Sequence, residues 1–150
     1  QTPTTIPIRS RALSDRYGMR VDPFTKKREF HGGIDFRARR GTPVYAPADA
    51  VVRIASRKGG FGLLVELLHG RGFFPGKNKS VRYRTRFAHL SKLKVKRGQK
   101  VKRGDLLGLV GSTGRSTGPH LHYEMIINGR RTNPLLPMTR YNPDQRLYRH

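Results

Sequence analysis

Residues 117–129 read TGPHLHYEMIING, and the strand within them sets the architecture of the rest. In an extended strand, side chains two apart share a face. His120, His122 and Glu124 then line one side, while Leu121, Tyr123 and Met125 line the other. Pro119 can open such a strand because its missing N–H costs little at the first position. Asn128-Gly129 supplies the turn that ends it. One apolar and one polar face is the pattern of an antiparallel sheet lying on a core. The two imidazoles stand about 6–7 Å apart at ~3.3 Å per residue. They read either as a pair working on one centre or as the polar side of a half-exposed strand.

Working outward, SVRYRTRFAHL (80–90) alternates in the same way. Val81, Tyr83, Thr85, Phe87 and His89 are expected on one face, and Arg82, Arg84 and Arg86 on a solvated opposite face. AVVRIASR (50–57) and GLLVELLH (62–69) read as further strands, the second apolar enough for burial on both faces. GGFG (59–62) is a turn, and GRGFFPGKNKS (70–80) a long surface loop or an extended hairpin tip. VKRGQ and VKRGD, at 95–99 and 101–105, form an approximate repeat with tight turns at Gly98 and Gly104. STGRSTG (112–118) reads as a flexible connection. Upstream, YGMRV is a short strand, DPFTKK a Pro-initiated turn and REF the approach to HGGID. No segment shows the helical period, and the proline-rich tail from Thr132 is expected to wrap the surface. The fold class is therefore all-β, mainly antiparallel sheet with long loops.

The chain has 150 residues, the size of one domain. It has no cysteine, so disulfides and thiolate metal sites are excluded. No apolar run approaches the roughly 18–20 residues of a membrane span, and no signal segment is visible at QTPTTIPIRS. Thirty-two Lys and Arg against nine Asp and Glu give a net charge of +23. Such a field draws the protein to polyanions, whether nucleic acid, anionic lipid or acidic cell-wall polymer. A nucleic-acid-binding β domain would carry a basic–aromatic RNP-like motif, and none is present. A lipoyl-type carrier would present a lysine between acidic and apolar neighbours at a hairpin tip, which the VKRGQ/VKRGD turns do not.

His31 and Asp35, in FHGGIDFR, form a second candidate pair. Imidazole nitrogen and carboxylate oxygen are ordinary zinc ligands, and catalytic zinc sites use three protein ligands and a water. Gly32-Gly33 argues against a helix between them, whereas a glycine bend entering a strand can bring both to one point. HxxxD alone is weak, since such a pair is more often a chance surface arrangement. His89 is a third locus, His69 reads as structural or exposed, and His150 is the last residue. HExxH is absent, which excludes a helical site of that kind.

FHGGIDF, GTPVYAPADAVV, FAHLSKL, VKRGQKVKRGDLLGLVGSTGRSTGPHLHYEM and NGRRTNPL, in that order, closely resemble the lysostaphin-type (LytM) zinc metallopeptidases. The resemblance runs from Tyr17 to Pro137. It implies a single LytM peptidase domain over 1–150 with its core at about 17–137, segments 1–16 and 138–150 flanking, and loops around a groove. It implies one Zn²⁺ held by His31, Asp35 and His122, with His120 and His89 as catalytic histidines that do not ligate it. It implies hydrolysis of peptidoglycan stem or bridge peptides by a zinc-activated water. D-Ala–meso-diaminopimelate cross-links are the first expectation and glycyl-glycine bridges the second. An exported, periplasmic or cell-wall location follows, with anionic envelope polymers as partners of the basic surface. Ala50 stands where the family commonly has Gly, and Phe87 where it often has Tyr; neither touches the ligand set. A non-catalytic cell-wall binder or amidase activator is the other class within the resemblance, and the complete ligand set favours an enzyme.

Overall fold

The strand beginning at His120 lies inside the main sheet, paired on both sides. A computed structural model describes residues 2–9, 13–22, 25–74 and 78–141. The strands in chain order are β1 (Leu13–Asp15), β2 (Gly18–Val21), β3 (Arg28–His31), β4 (Ile34–Arg37), β5 (Pro43–Tyr45) and β6 (Ala50–Arg57). They continue with β7 (Leu63–Phe73), β8 (Ser80–Leu93), β9 (Lys100–Val101), β10 (Leu106–Val110), β11 (His120–Ile127) and β12 (Arg130–Thr132). Among the described residues, ten strands form one antiparallel sheet with the path β1-β4-β11-β8-β7-β6-β9, and β2 and β3 form a separate hairpin. The all-β expectation holds.

Alternation decides which face of this sheet is dry. Leu121 and Tyr123 of β11, Ile34 and Phe36 of β4, Phe87 of β8, and Val65 and Leu67 of β7 are fully buried on one side. Phe87 and Tyr123 stack there with ring centroids 5.2 Å apart. Each such side chain contributes about 1.5–3 kcal/mol through burial. Ile6 and Ile8 join this core from the expected N-terminal flank. The opposite face carries Asp35, His120, His122, Glu124 and Arg86.

Two details depart from the sequence reading, and the choice it left open for 70–80 is decided in favour of the hairpin. The tail is not simply wrapped on the surface: Leu135–Tyr141 is a short helix, α1, and Met138 is fully buried in the core. Asn133 starts the helix by accepting the Leu135 N–H at 3.1 Å, and Pro137 is tolerated because the first turn lacks N–H partners anyway. Seven residues are too few to show a helical period. The face of β8 expected to be solvated instead holds Arg84 and Arg86 against the buried Glu66. The segment 70–80 is a hairpin end: β7 runs to Phe73 and β8 starts at Ser80. Residues 75–77 at its tip lie outside the described residues, as do Pro23 and Phe24 of the expected DPFTKK turn.

The VKRGQ/VKRGD repeat folds as the sequence suggests. Gly98 and Gly104 both have φ 87°. In each turn the side chain that follows, Gln99 or Asp105, accepts the N–H three residues back, from Lys96 at 3.1 Å or Lys102 at 2.8 Å.

Candidate metal and catalytic centre

Cross-strand register brings the separated motifs together. Asp35 of β4 lies directly opposite His122 of β11, and Ala88 of β8 lies opposite His122 on its other side. His31 ends β3, and Gly32-Gly33 turns the chain into β4. A Cβ on Gly33 would stand 2.5 Å from the Tyr123 carbonyl oxygen, so only glycine lets this bend approach β11 so closely. The expected glycine bend is what joins His31 to Asp35.

His122 Nδ1 lies 2.8 Å from Asp35 Oδ1, and His31 Nε2 lies 3.4 Å from Asp35 Oδ2. One ligand atom from each of His31, Asp35 and His122 falls within 4.8 Å of the others. Tetrahedral bonds of about 2.0–2.2 Å place ligand atoms about 3.3 Å apart, so the donor set fits one metal ion with little movement. Their side chains are 9, 14 and 12 % exposed, and all three line the groove described below.

The remaining ring nitrogens fix the tautomers. His31 Nδ1–H donates to the Arg16 carbonyl at 2.8 Å, which leaves Nε2 facing Asp35. His89 Nδ1–H donates to the Thr113 carbonyl at 2.8 Å, and His120 Nδ1–H to the Gly118 carbonyl at 2.8 Å. His122 is reversed, with Nε2–H donating to Glu124 Oε2 at 3.0 Å. Burial alone would raise the Asp35 carboxyl, but hydrogen bonds from His122 and His31 hold it well below the usual carboxylate range. Burial would lower His122, but Asp35 and Glu124 outweigh it and push its pKa up to about 9. Burial pushes His89 down, and the neighbouring His120 and His122 add to that.

His89 is on the groove side, not with Phe87 as strict alternation implies. Its φ is 61°, a left-handed conformation uncommon outside glycine. Pairing with β7 shifts register between Val65 and Leu63, the mark of a bulge that re-aims one side chain. The His89 ring then sits 4.8 Å from His120 and 6.0 Å from His122, centroid to centroid. His120 Nε2 is 3.8 Å from Asp35 Oδ1. His69 is elsewhere: it is buried, donating from Nδ1 to the Asp49 carbonyl at 2.9 Å and meeting Thr85 Oγ1 at 2.7 Å through Nε2.

A groove with a cavity volume of about 1120 Å³ opens over these residues, bordered by Arg37, Phe61, Arg115 and Ser116. The segment read as a flexible connection is one wall, held by several contacts. Thr113 Oγ1 donates to the Leu90 carbonyl at 2.6 Å and accepts the Leu63 N–H at 3.0 Å. Arg115 N–H donates to the Gly60 carbonyl at 2.8 Å.

Residues 29–134 match the model of peptidase family M23. The chain belongs to peptidase family M23. This M23 chain is 44% identical over 123 residues to the DD-carboxypeptidase/endopeptidase Mpg of Neisseria meningitidis, covering 82% of the chain and 26% of that protein. It is 43% identical over 131 residues to the peptidoglycan DD-endopeptidase ShyA of Vibrio cholerae, covering 85% and 28%. The catalytic domain of lysostaphin from Staphylococcus simulans superposes with a TM-score of 0.65 at 33% identity, covering 80% of the M23 chain and 86% of that domain. The chain thus spans about a quarter of the length of the curated relatives it matches. The family is one of metallopeptidases, which agrees with a donor set suited to a metal. No helix among the described residues is long and apolar enough to cross a membrane.

Proposed function

We propose that this M23 domain is a zinc-dependent endopeptidase that cuts peptide cross-links of peptidoglycan, D-Ala–meso-diaminopimelate bonds first and glycyl-glycine bridges second. The observation that carries the reading is the convergence of His31 Nε2, Asp35 and His122 Nδ1 at one point, with His89 and His120 beside it. The names of the DD-endopeptidase relatives support the choice of bond. Zinc is favoured among metals by the nitrogen-and-carboxylate set with room for a water.

In this reading His31, Asp35 and His122 hold the metal. When bound, zinc supplies an activated water and a Lewis acid for the scissile carbonyl. His89 and His120 do the proton work. Both have Nδ1–H committed to backbone carbonyls, so both turn an Nε2 lone pair toward the groove. Two imidazoles 4.8 Å apart do not readily carry a charge at once, and burial with the neighbouring imidazoles pushes the pKa of His89 down. The ring that accepts the proton becomes an imidazolium, whose Nε2–H then donates to the developing oxyanion and finally to the leaving amine. Such general acid–base catalysis is worth roughly 10²–10⁴-fold. The net charge of +23 favours exported action on an anionic sacculus or other envelope polymer.

Digestion of purified sacculi, with and without a chelator, tests the proposal. Metal analysis should give one zinc per chain, and mass spectrometry should show cross-linked dimers converted to monomers only without chelator. Sacculi with D-Ala–meso-diaminopimelate links and sacculi with glycine bridges form the two arms. Failure to release chelator-sensitive products from both would sink it.

A further inference from the structure

The proposed reaction leaves unused the charged row beside the site. Directly across three adjacent strands, Glu66 of β7 faces Arg86 of β8, which faces Glu124 of β11. Glu66 is 0% and Glu124 2% exposed. Carboxylates at such depth are costly unless paired and hydrogen-bonded. Arg86 pairs both: Nε donates to Glu66 Oε1 at 2.8 Å, and Nη1 to Glu124 Oε1 at 3.3 Å. Arg53 donates to the second oxygen of Glu66, and Arg84 Nη1 lies 3.5 Å from the first. Arg131 Nη1 lies 3.8 Å from Glu124 Oε2. The row ends at the metal site, where His122 Nε2–H donates to that same Oε2 at 3.0 Å.

The other three histidines of the groove are oriented by backbone carbonyls at Nδ1. His122 alone among them is oriented at Nε2, and by a carboxylate. The strand explains the difference: residue 124 lies two positions on, so its side chain projects from the same face as His122.

We infer that Glu124 is the positioning residue for His122. It takes Nε2–H, so that Nδ1 is the nitrogen turned to the place shared by His31 and Asp35, donating to Asp35 in the metal-free chain and left to ligate when a metal is bound. Arg86 fixes Glu124 in turn and is itself fixed by Glu66, so the orientation of one ligand is anchored two strands away. A carboxylate acceptor also makes the imidazole a better donor to a metal than a carbonyl would. The inference rests on the metal reading proposed above, and Glu124 touches neither substrate nor the reacting atoms.

The test uses the full chain, wild type and as Glu124→Leu, Glu124→Gln and His122→Ala, with zinc affinity measured by competition against a chromophoric chelator. Glu124→Leu should bind zinc roughly 10–100-fold more weakly. Glu124→Gln keeps an acceptor oxygen for Nε2–H and should recover most of that loss, a rescue that a purely structural role would not give. Thermal melting of each variant reports folding separately. Long-range ¹H–¹⁵N spectra of the zinc-loaded wild type, which need no variant to fold, should show the Nε2–H tautomer at His122 and the Nδ1–H tautomer at His31, His89 and His120. Wild-type zinc affinity in folded Glu124→Leu, or an Nδ1–H tautomer at His122, would overturn the inference alone. A wild type that binds zinc no better than His122→Ala would overturn the metal reading and this one with it.

Discussion

Two histidines separated by one leucine are chemically different because their outer nitrogens meet different partners. His120 gives Nδ1–H to its own loop, at the Gly118 carbonyl, and keeps Nε2 free over the groove. His122 gives Nε2–H to Glu124 and presents Nδ1 beside Asp35. Removal of each should therefore cost a different property. His122→Ala should bind zinc more weakly by at least about 100-fold, more than losing a hydrogen-bond partner of a ligand costs. His120→Ala should keep zinc affinity close to wild type while turnover falls about 10²–10⁴-fold. Chelator competition and muropeptide release measured on the same preparations separate the two. Comparable zinc loss in both would refute the division of roles.

Strands and loops explain both what could be read in advance and what could not. HLHYEM and HGGID declared their faces, because alternation and a glycine bend are local features. Glu124 was visible on the histidine face, but its partner Arg86 sits on another strand, and cross-strand register is not written in either segment. The same gap made the arginine face of β8 look solvated, when Glu66 of β7 lies buried beneath it. His89 was misplaced for a different reason: a bulge breaks the alternation that the sequence displays. The bulge is steadied by the Thr113 carbonyl, and Thr113 is set by loops that pack backbone against backbone. A Cβ on Gly114 would lie 2.3 Å from the Gly62 nitrogen, in a residue with φ 73°. Gly114→Ala should therefore push the two loops apart and shift the carbonyl that holds His89. Zinc binding should survive, because none of the three ligands is on these loops. Turnover should fall by an order of magnitude or more, since displacements of about 1 Å can cost 10²-fold. An alanine variant with wild-type kcat would mean that the wall does not position His89.

Across the whole molecule, the excess of positive charge makes the few acids informative. Nine stand against thirty-two Lys and Arg, and three of them, Asp35, Glu66 and Glu124, lie in the sheet face that runs through the site. Hydrogen-bonded partners hold all three carboxyls below their ordinary range, although burial opposes it. Their stabilising contribution is present above the unfolded carboxylate range and is lost as pH falls through the folded values. One acid-sensitive group lies away from the site. Burial pushes His69 down to about 4 from 6.5, and its Nε2 accepts from Thr85 while Nδ1–H donates to Asp49. The unfolded chain takes up a proton near pH 6.5 that the folded chain refuses until about pH 4. Stability should fall by about 3 kcal/mol between those values, at 1.36 kcal/mol per pH unit. Urea unfolding in the presence of chelator, at pH 6.5 and at 4.5, removes metal release and most carboxylate protonation, and comparison with a His69 variant separates this loss from that of His89. In His69→Gln the amide can keep both hydrogen bonds without titrating, so the His69 share of the difference between the two pH values should vanish. An NMR titration of the His69 ring with a midpoint near 6.5 would show that its burial does not set the acid limit of the fold.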